Sequence, residues 1–350
     1  MSTSYQGADK QAGRLPVSLA PGAGILATAA LAWVAQQLGQ MVPLVGGAVF
    51  ALVIGAALRN ALAIPSWLSE GAAFATKRLL KLAIILLGST LSLKQVFAIG
   101  YQSLLVIVAT IVLAMAFTEV IGRRMRLPEK LCSLIGVGTA ICGATAIASI
   151  APIIRSDDQD TAYAISTIFF FNVLAVVVYP LLGHALHLND LLFGVWAGTA
   201  IHDTSSVLAG AYAFSDTAGQ YATVVKLTRT TLLIPVAVFM ALLHSWKGMQ
   251  ATGGAAAVPS VHIVRIFPWF ILGFLAMAMA NTAGLLPEAT TTSLGALAKF
   301  FILMAMIGVG LGADLHKILR VGVKPLLLGL WASIIIAVVS LALSFLLLSM

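Results

Sequence analysis

Hydrophobic residues run through this chain in long blocks separated by short polar joints. Most blocks hold roughly 17–24 residues, near the length an α-helix needs to cross a bilayer core. About eleven can be marked off along the chain. They run Ala20–Leu38, Val42–Leu58, Leu79–Leu93, Leu104–Ile121, Leu131–Ile154 and Tyr163–Leu182, then Leu191–Phe214, Thr231–Leu243, Phe267–Met279, Phe300–Leu311 and Leu326–Leu348. The pattern predicts an all-α polytopic membrane protein with about eleven transmembrane helices. The joints are too short to hold a soluble domain, so residues 20–350 read as one transmembrane unit. Residues 1–19 are polar, contain Gly and Pro, and read as a flexible cytoplasmic tail. The first apolar block lacks a small-residue cleavage pattern and does not read as a secretory signal.

Two blocks carry an interruption, and both use the same phrase. The first is Gly138-Thr139-Ala140-Ile141-Cys142-Gly143-Ala144-Thr145. The second is Gly198-Thr199-Ala200-Ile201-His202-Asp203-Thr204-Ser205-Ser206. Small residues, hydroxyls and helix-weakening glycines at that depth predict broken helices near Ile141–Gly143 and Ile201–Thr204. Lipid cannot satisfy loose backbone groups, so such breaks must be buried in protein or line a watery cavity. Paired discontinuous helices at mid-membrane mark the binding site of many transporters.

A second echo is longer. Pro65, Lys77 and Gly88 recur as Pro287, Lys299 and Gly310 at a constant offset of 222, and Asn60 has a counterpart in Asn281. The match runs on through Ser92-Leu93 with Asp314-Leu315 and Leu104-Leu105 with Leu326-Leu327, so about 60–105 echoes 281–327. Seven blocks separate the copies. An odd separation inverts the direction of crossing, which predicts an inverted repeat. Chance matching between Leu- and Gly-rich segments is the alternative, but Asn, Pro and Lys are scarce here and align together. The Gly-Thr-Ala-Ile phrase fits less well. Its copies lie two blocks apart, so they run parallel if every block crosses. Either the block count is off by one, as a re-entrant segment would make it, or the two breaks converged on similar half-helix chemistry.

Composition agrees with the membrane reading. Of 350 residues, 60% are hydrophobic and only 9% charged, with mean hydropathy +1.04. The net charge of +8 does not indicate nucleic acid, because the basic residues sort by joint. With the N-terminus inside, Lys10, Arg14, Arg59, Lys77, Arg78, Arg123, Arg124, Arg126, Lys130, Lys247, Arg265, Lys317, Arg320 and Lys324 fall on one side. Lys94, Arg155 and Lys299 fall on the other. The positive-inside rule then places the N-terminus in the cytoplasm and the C-terminus outside. Cys132 and Cys142 lie on one block, roughly 15 Å apart if helical, too far for a disulfide. No zinc spacing is present, and neither metal nor cofactor is expected.

Candidate chemistry starts from charge inside the membrane, where each ionised group needs a partner or water. Asp203 is the acid placed deepest, beside His202. It reads as a proton or cation relay, or as a structural cap. Glu119 sits nearer a block end, where it neighbours Arg123. Thr204, Ser205 and Ser206 follow Asp203. If the block breaks there, a half-helix begins at Thr204 with its N–H groups and positive dipole end free for an anion. Thr139, Cys142, Gly143 and Thr145 offer the same arrangement, or simply close helix packing. Lys226 and Arg229 share a helix face just before the eighth block. They line a pocket for a polyanion or snorkel to outer headgroups. Asn172 is either a core amide or a site ligand.

The segments GTAICGATAIA, GTAIHDTSSVLAGA and VVKLTRTTLLIP, in this order, resemble the YeiH-type (UPF0324) bacterial membrane proteins, a family named for sulfate export. The similarity extends from about Ala20 to Met350. Ser205-Ser206 departs from the pattern, where more variable small or amide residues are expected. The resemblance implies the fold class of sodium/proton antiporters and bile-acid transporters, with two broken helices crossing at mid-membrane, and a place in the bacterial inner membrane.

The leading expectation is a secondary active transporter of a small anion, sulfate or a sulfonate, coupled to protons or sodium. Lys226, Arg229, His202 and the two half-helix sites would bind the anion, and Asp203 with His202 would couple it. The alternative is a cation/proton antiporter using Asp203. An enzyme is disfavoured because neither HExxH nor GxSxG occurs. The expected partners are the anionic solute, the coupling ion and the bilayer. A second copy of the chain is left open.

Overall fold

The computed structural model describes residues 20–42, 45–252, 261–316 and 321–348. The tail read at 1–19, with Lys10 and Arg14, and the loop residues Lys317 and Arg320 lie outside the described residues. Among the described residues the chain is all-helical, without strands. The helices are α1 (Ala20–Met41), α2 (Gly46–Ala61), α3 (Ser66–Phe74), α4 (Leu80–Leu87), α5 (Leu93–Arg124), α6 (Glu129–Ala140), α7 (Ala144–Ile150) and α8 (Asp158–Ala185). Then come α9 (Asp190–Ala200), α10 (Thr204–Phe214), α11 (Asp216–Thr231), α12 (Leu233–Thr252), α13 (Ile263–Ile266), α14 (Phe270–Thr282), α15 (Glu288–Gly312) and α16 (Val323–Leu348). A π-helical turn, Ala75–Leu79, joins α3 to α4. Five helical stretches are long and apolar enough to cross a membrane: Leu93–Arg124, Asp158–Ala185, Asp216–Trp246, Glu288–Gly312 and Val323–Leu347.

Helix starts are written locally. Ser92 opens α5 through a capping box with Gln95. The side chains of Asp157, Asn189, Asp203 and Ser215 accept N–H bonds at the starts of α8, α9, α10 and α11. Both expected breaks occur where the small and polar residues stand: α6 ends at Ala140 and α7 begins at Ala144, and α9 ends at Ala200 and α10 begins at Thr204.

Neither broken segment runs straight on. A continuous helix from Lys130 to Arg155 would separate its ends by about 37 Å. Instead, Lys130 Nζ donates to the Arg155 carbonyl at 2.6 Å. The α6–α7 segment is a hairpin that leaves on the side it entered. The α9–α10 segment does the same: Ser215 Oγ donates to Asp190 Oδ1 at 2.6 Å, and Phe193 stacks on Phe214 at 3.9 Å. Of about eleven apolar blocks, two therefore fold back. The cause is local. Gly143 has φ +63° and ψ −130°, a conformation open to glycine alone, and this reverses the chain at the first tip.

The two hairpins enter from opposite ends of α8, which is about 42 Å long. The first has its base beside the start of α8, and Gly138 and Gly143 lie against Ile168. The second has its base at the far end, where Phe193 and Phe214 flank Gly183, and its tip reaches Asn172. Thus α6 and α9 are antiparallel. The repeated phrase belongs to one two-fold relation, which the straight-span reading obscured.

The longer echo appears as reciprocal contacts. A Cβ on Gly88 would lie 2.2 Å from the Phe274 carbonyl oxygen, and one on Gly310 would lie 2.3 Å from that of Leu52. Both members of each pair differ by 222. Asn60 Nδ2 donates to Ala313 O at 2.7 Å, and Asn281 Nδ2 to Leu91 O at 3.2 Å. Leu315 N donates to Asn60 Oδ1 at 3.1 Å, and Leu93 N to Thr282 Oγ1 at 2.8 Å. Helices α1 to α4, α14 and α15 pack together around these contacts. Helices α5, α16, α8 and α11 enclose the hairpins in a second group.

Single cysteines at Arg126 and Arg155 should label from the same side of the membrane, and one at His187 from the other. Side-selective thiol labelling in vesicles checks this. Arg126 and Arg155 on opposite sides would mean that the α6–α7 segment crosses.

Candidate functional site

The tips meet halfway along α8. A Cβ on Gly143 would touch Asp203 Cβ at 3.3 Å, so Ile141–Gly143 and Ile201–Asp203 are in contact. The C-terminal ends of α6 and α9 both point here. Each carries carbonyls without a helical partner and the negative end of a helix dipole.

Lys226 and Arg229 on α11 answer those carbonyls, and both are 0% exposed. Lys226 Nζ donates to the carbonyls of Ile141 (2.8 Å), Ile201 (2.9 Å) and His202. That uses all three protons of the ammonium. Arg229 Nε donates to Ala140 O at 2.5 Å, and its Nη atoms reach Thr139 O at 2.6 Å and Ile201 O at 3.5 Å. Two side chains one helical turn apart thereby clamp both hairpin tips.

This corrects the placement expected for them. The polar stretch Asp216–Thr230 hid the first half of the eighth block, which was read from Thr231. In the structure α11 and α12 form one long apolar unit, Asp216–Trp246, and Lys226 and Arg229 lie well inside it. Neither side chain snorkels. The carbonyl bonds of Arg229 make it a structural clamp.

Asp203 is partly exposed. Its carboxylate accepts from both the N–H (2.9 Å) and the hydroxyl of Ser205, so the N-terminus of α10 is already capped by an acid of the chain. Its own N–H donates to Asn172 Oδ1 at 2.9 Å, which makes Asn172 the link between α8 and the second tip. Thr204 is partly exposed and Ser205 and Ser206 are buried. Thr145 on α7 is exposed, and Gly143 and Cys142 are buried behind it.

His202 faces the other way. Its Nε2 lies 2.8 Å from Ser333 Oγ on α16, and that hydroxyl donates to Gly329 O at 2.7 Å. Nδ1 is buried with no partner in hydrogen-bond geometry. The hydroxyls of Thr139, Thr167 and Ser206 are buried and unpartnered as well. Ser333 and Thr167 carry no signal in the sequence. A lone Ser or Thr in an apolar block normally bonds back to its own helix, so nothing in the sequence marks these two. Cys132 and Cys142 are both free and buried. No group of His, Cys, Asp and Glu suited to a metal occurs among the described residues.

Apolar helices of crossing length, with a polar cluster buried at their midpoint, define a helical membrane protein. The chain belongs to the family described as conserved hypothetical protein 698, whose model matches residues 23–329. It is 39% identical over 329 residues to a UPF0324 membrane protein of Clostridium tetani, covering 91% of this chain and 94% of that one. A UPF0324 membrane protein of Streptococcus pneumoniae serotype 4 is 41% identical over 324 residues, covering 90% and 94%. One from Fusobacterium nucleatum is 37% identical over 340 residues, covering 91% and 96%. The family read from the sequence motifs is the family found.

Arg229→Ala should lower the stability of the purified protein by on the order of 3 kcal/mol, since several buried carbonyls lose a charged donor together. Thermal unfolding in detergent measures this. An unchanged melting temperature would show that the tips hold without the clamp.

Proposed function

We propose that this protein is a secondary active transporter of a small anion, with its site at the meeting point of the two hairpins. One observation carries the reading. Two cations, Lys226 and Arg229, are buried at that point against the single carboxylate of Asp203. With both ionised they exceed that carboxylate by one positive charge, which a bound anion would balance. Thr204 and Thr145 stand at the edge of the tips where a solute can arrive. The family name attached to the sequence resemblance supports sulfate or a sulfonate.

Asp203 takes the coupling role; His202, expected to share it, is buried against Ser333 and turned away from Asp203. An ionised Asp203 repels the anion. A proton, or a sodium ion beside it, removes that repulsion, so coupling ion and substrate bind together by reciprocal linkage. A second reading, cation/proton antiport, rests on a different observation. Lys226 and Arg229 are already engaged with carbonyls, which leaves Asp203 as the charge a solute can reach.

The topology we propose has two re-entrant hairpins within the antiporter and bile-acid transporter class of folds, in the bacterial inner membrane. Folding back at α6–α7 moves Arg155 to the side of Arg123, Arg124, Arg126 and Lys130, and so sharpens the basic bias. Removing two crossings leaves the parity unchanged, with the N-terminus inside and the C-terminus outside.

Melting of the purified protein should rise with sulfate, sulfite, thiosulfate or a sulfonate in a concentration-dependent way. Asp203→Asn should keep that shift while flattening its dependence on pH. If no anion shifts the wild-type protein and sodium alone does, the antiport reading takes its place.

A further inference from the structure

The two-fold relation lets one end of the molecule be compared with the other, and the ends differ. Helix α10 packs on α2 and α15. Its counterpart α7 packs on α6, α8 and α12 and leaves Thr145 and Ala148 exposed. The two helix groups therefore close on each other through α10 at one end, while α7 at the other end packs within its own group.

At the α10 end an ion pair ties the two helix groups together. Lys299 on α15 lies 2.7 Å from Asp216 at the start of α11, with its ammonium 5.9 Å from the centre of the Tyr212 ring. The pair borders a crevice of about 520 Å³ that Gln36, Gln40 and Gln220 also line.

The repeat assigns each partner a counterpart. Lys299 minus 222 is Lys77, and Asp216 is the first residue of the helix after the second hairpin, just behind the capping Ser215. The first residue of the helix after the first hairpin, just behind the capping Asp157, is Asp158. Lys77 and Asp158 are both exposed and make no ion pair with each other. Lys77 lies in the π-helical turn Ala75–Leu79, a local distortion often found at functional positions.

We propose that these two ion pairs alternate: Asp216–Lys299 holds the outer end shut, and Asp158–Lys77 forms when the inner end shuts and the outer end opens. The proposal rests on the transporter reading. Identical charge types at both pairs fit a near-balanced exchange. An exposed pair is worth at most about a five-fold bias, small enough to break in each cycle.

The test uses the full chain in membranes, with Lys77→Cys/Asp158→Cys in one variant and Asp216→Cys/Lys299→Cys in another. All four positions are exposed or near the surface, and the native cysteines are buried. A short bifunctional thiol reagent should join the 77–158 pair. Adding Asp216→Asn should raise that yield several-fold and slow thiol labelling of Thr145→Cys. Exchanging the charges, Asp216→Lys with Lys299→Asp, should restore the wild-type labelling rate of Thr145→Cys. Absence of the 77–158 crosslink in both backgrounds overturns the proposal, as does Thr145→Cys labelling that Asp216→Asn leaves unchanged. Crosslinking does not depend on the solute, so a failed anion screen alongside a formed 77–158 link would reject the anion and keep the exchange.

Discussion

The structure depends on two basic side chains answering a cluster of carbonyls at the centre of an apolar protein. Each hairpin brings the unpaired end of a half-helix to mid-depth, where no water is assured. Left alone, those carbonyls would make the hairpins unfavourable. Lys226 supplies three donors and Arg229 a fixed fork, and both reach the two tips at once. Neither hairpin is independent of the other, because one ammonium serves both. The tips are therefore positioned to well within a side-chain length, which a solute site needs.

The same clamp accounts for where polar residues are tolerated. Asp203, Asn172, Ser205 and Ser206 gather where the hairpins end, and the outer faces of α5, α12 and α16 are lined by Leu, Val, Phe and Trp side chains exposed for lipid. The helix group of α1 to α4, α14 and α15 has no comparable polar centre among the described residues. Its contacts depend on close backbone approach at Gly88 and Gly310, the usual means of tight packing between membrane helices. One group holds the buried polar centre, and the other provides the surface against which it packs.

Much of this was legible in the sequence, for identifiable reasons. The break positions were, since Gly143 and the run His202–Ser206 cannot continue an apolar helix without loss. The offset of 222 was, since Pro, Lys and Gly are rare enough in such a chain to carry register. The direction of the broken segments was not. Hydropathy measures length and polarity, and a hairpin of two short half-helices scores the same as one long span. Of the two readings open for Lys226 and Arg229, the buried one holds; only the block boundary was wrong, because α11 is too polar to register as membrane-buried. His202 was expected beside Asp203 in the site. The backbone between them turns, and the imidazole points to Ser333 on α16.

The central claim is that the meeting of the tips is an anion site whose charge comes from Lys226 and Arg229. Selenate has the shape and charge of sulfate and scatters anomalously, so a structure of the protein soaked in selenate tests it directly. The account predicts an anomalous peak at the tips, within contact of Thr204 and Thr145. A peak absent from the tips, together with a heavy monovalent cation seated at Asp203, would contradict it.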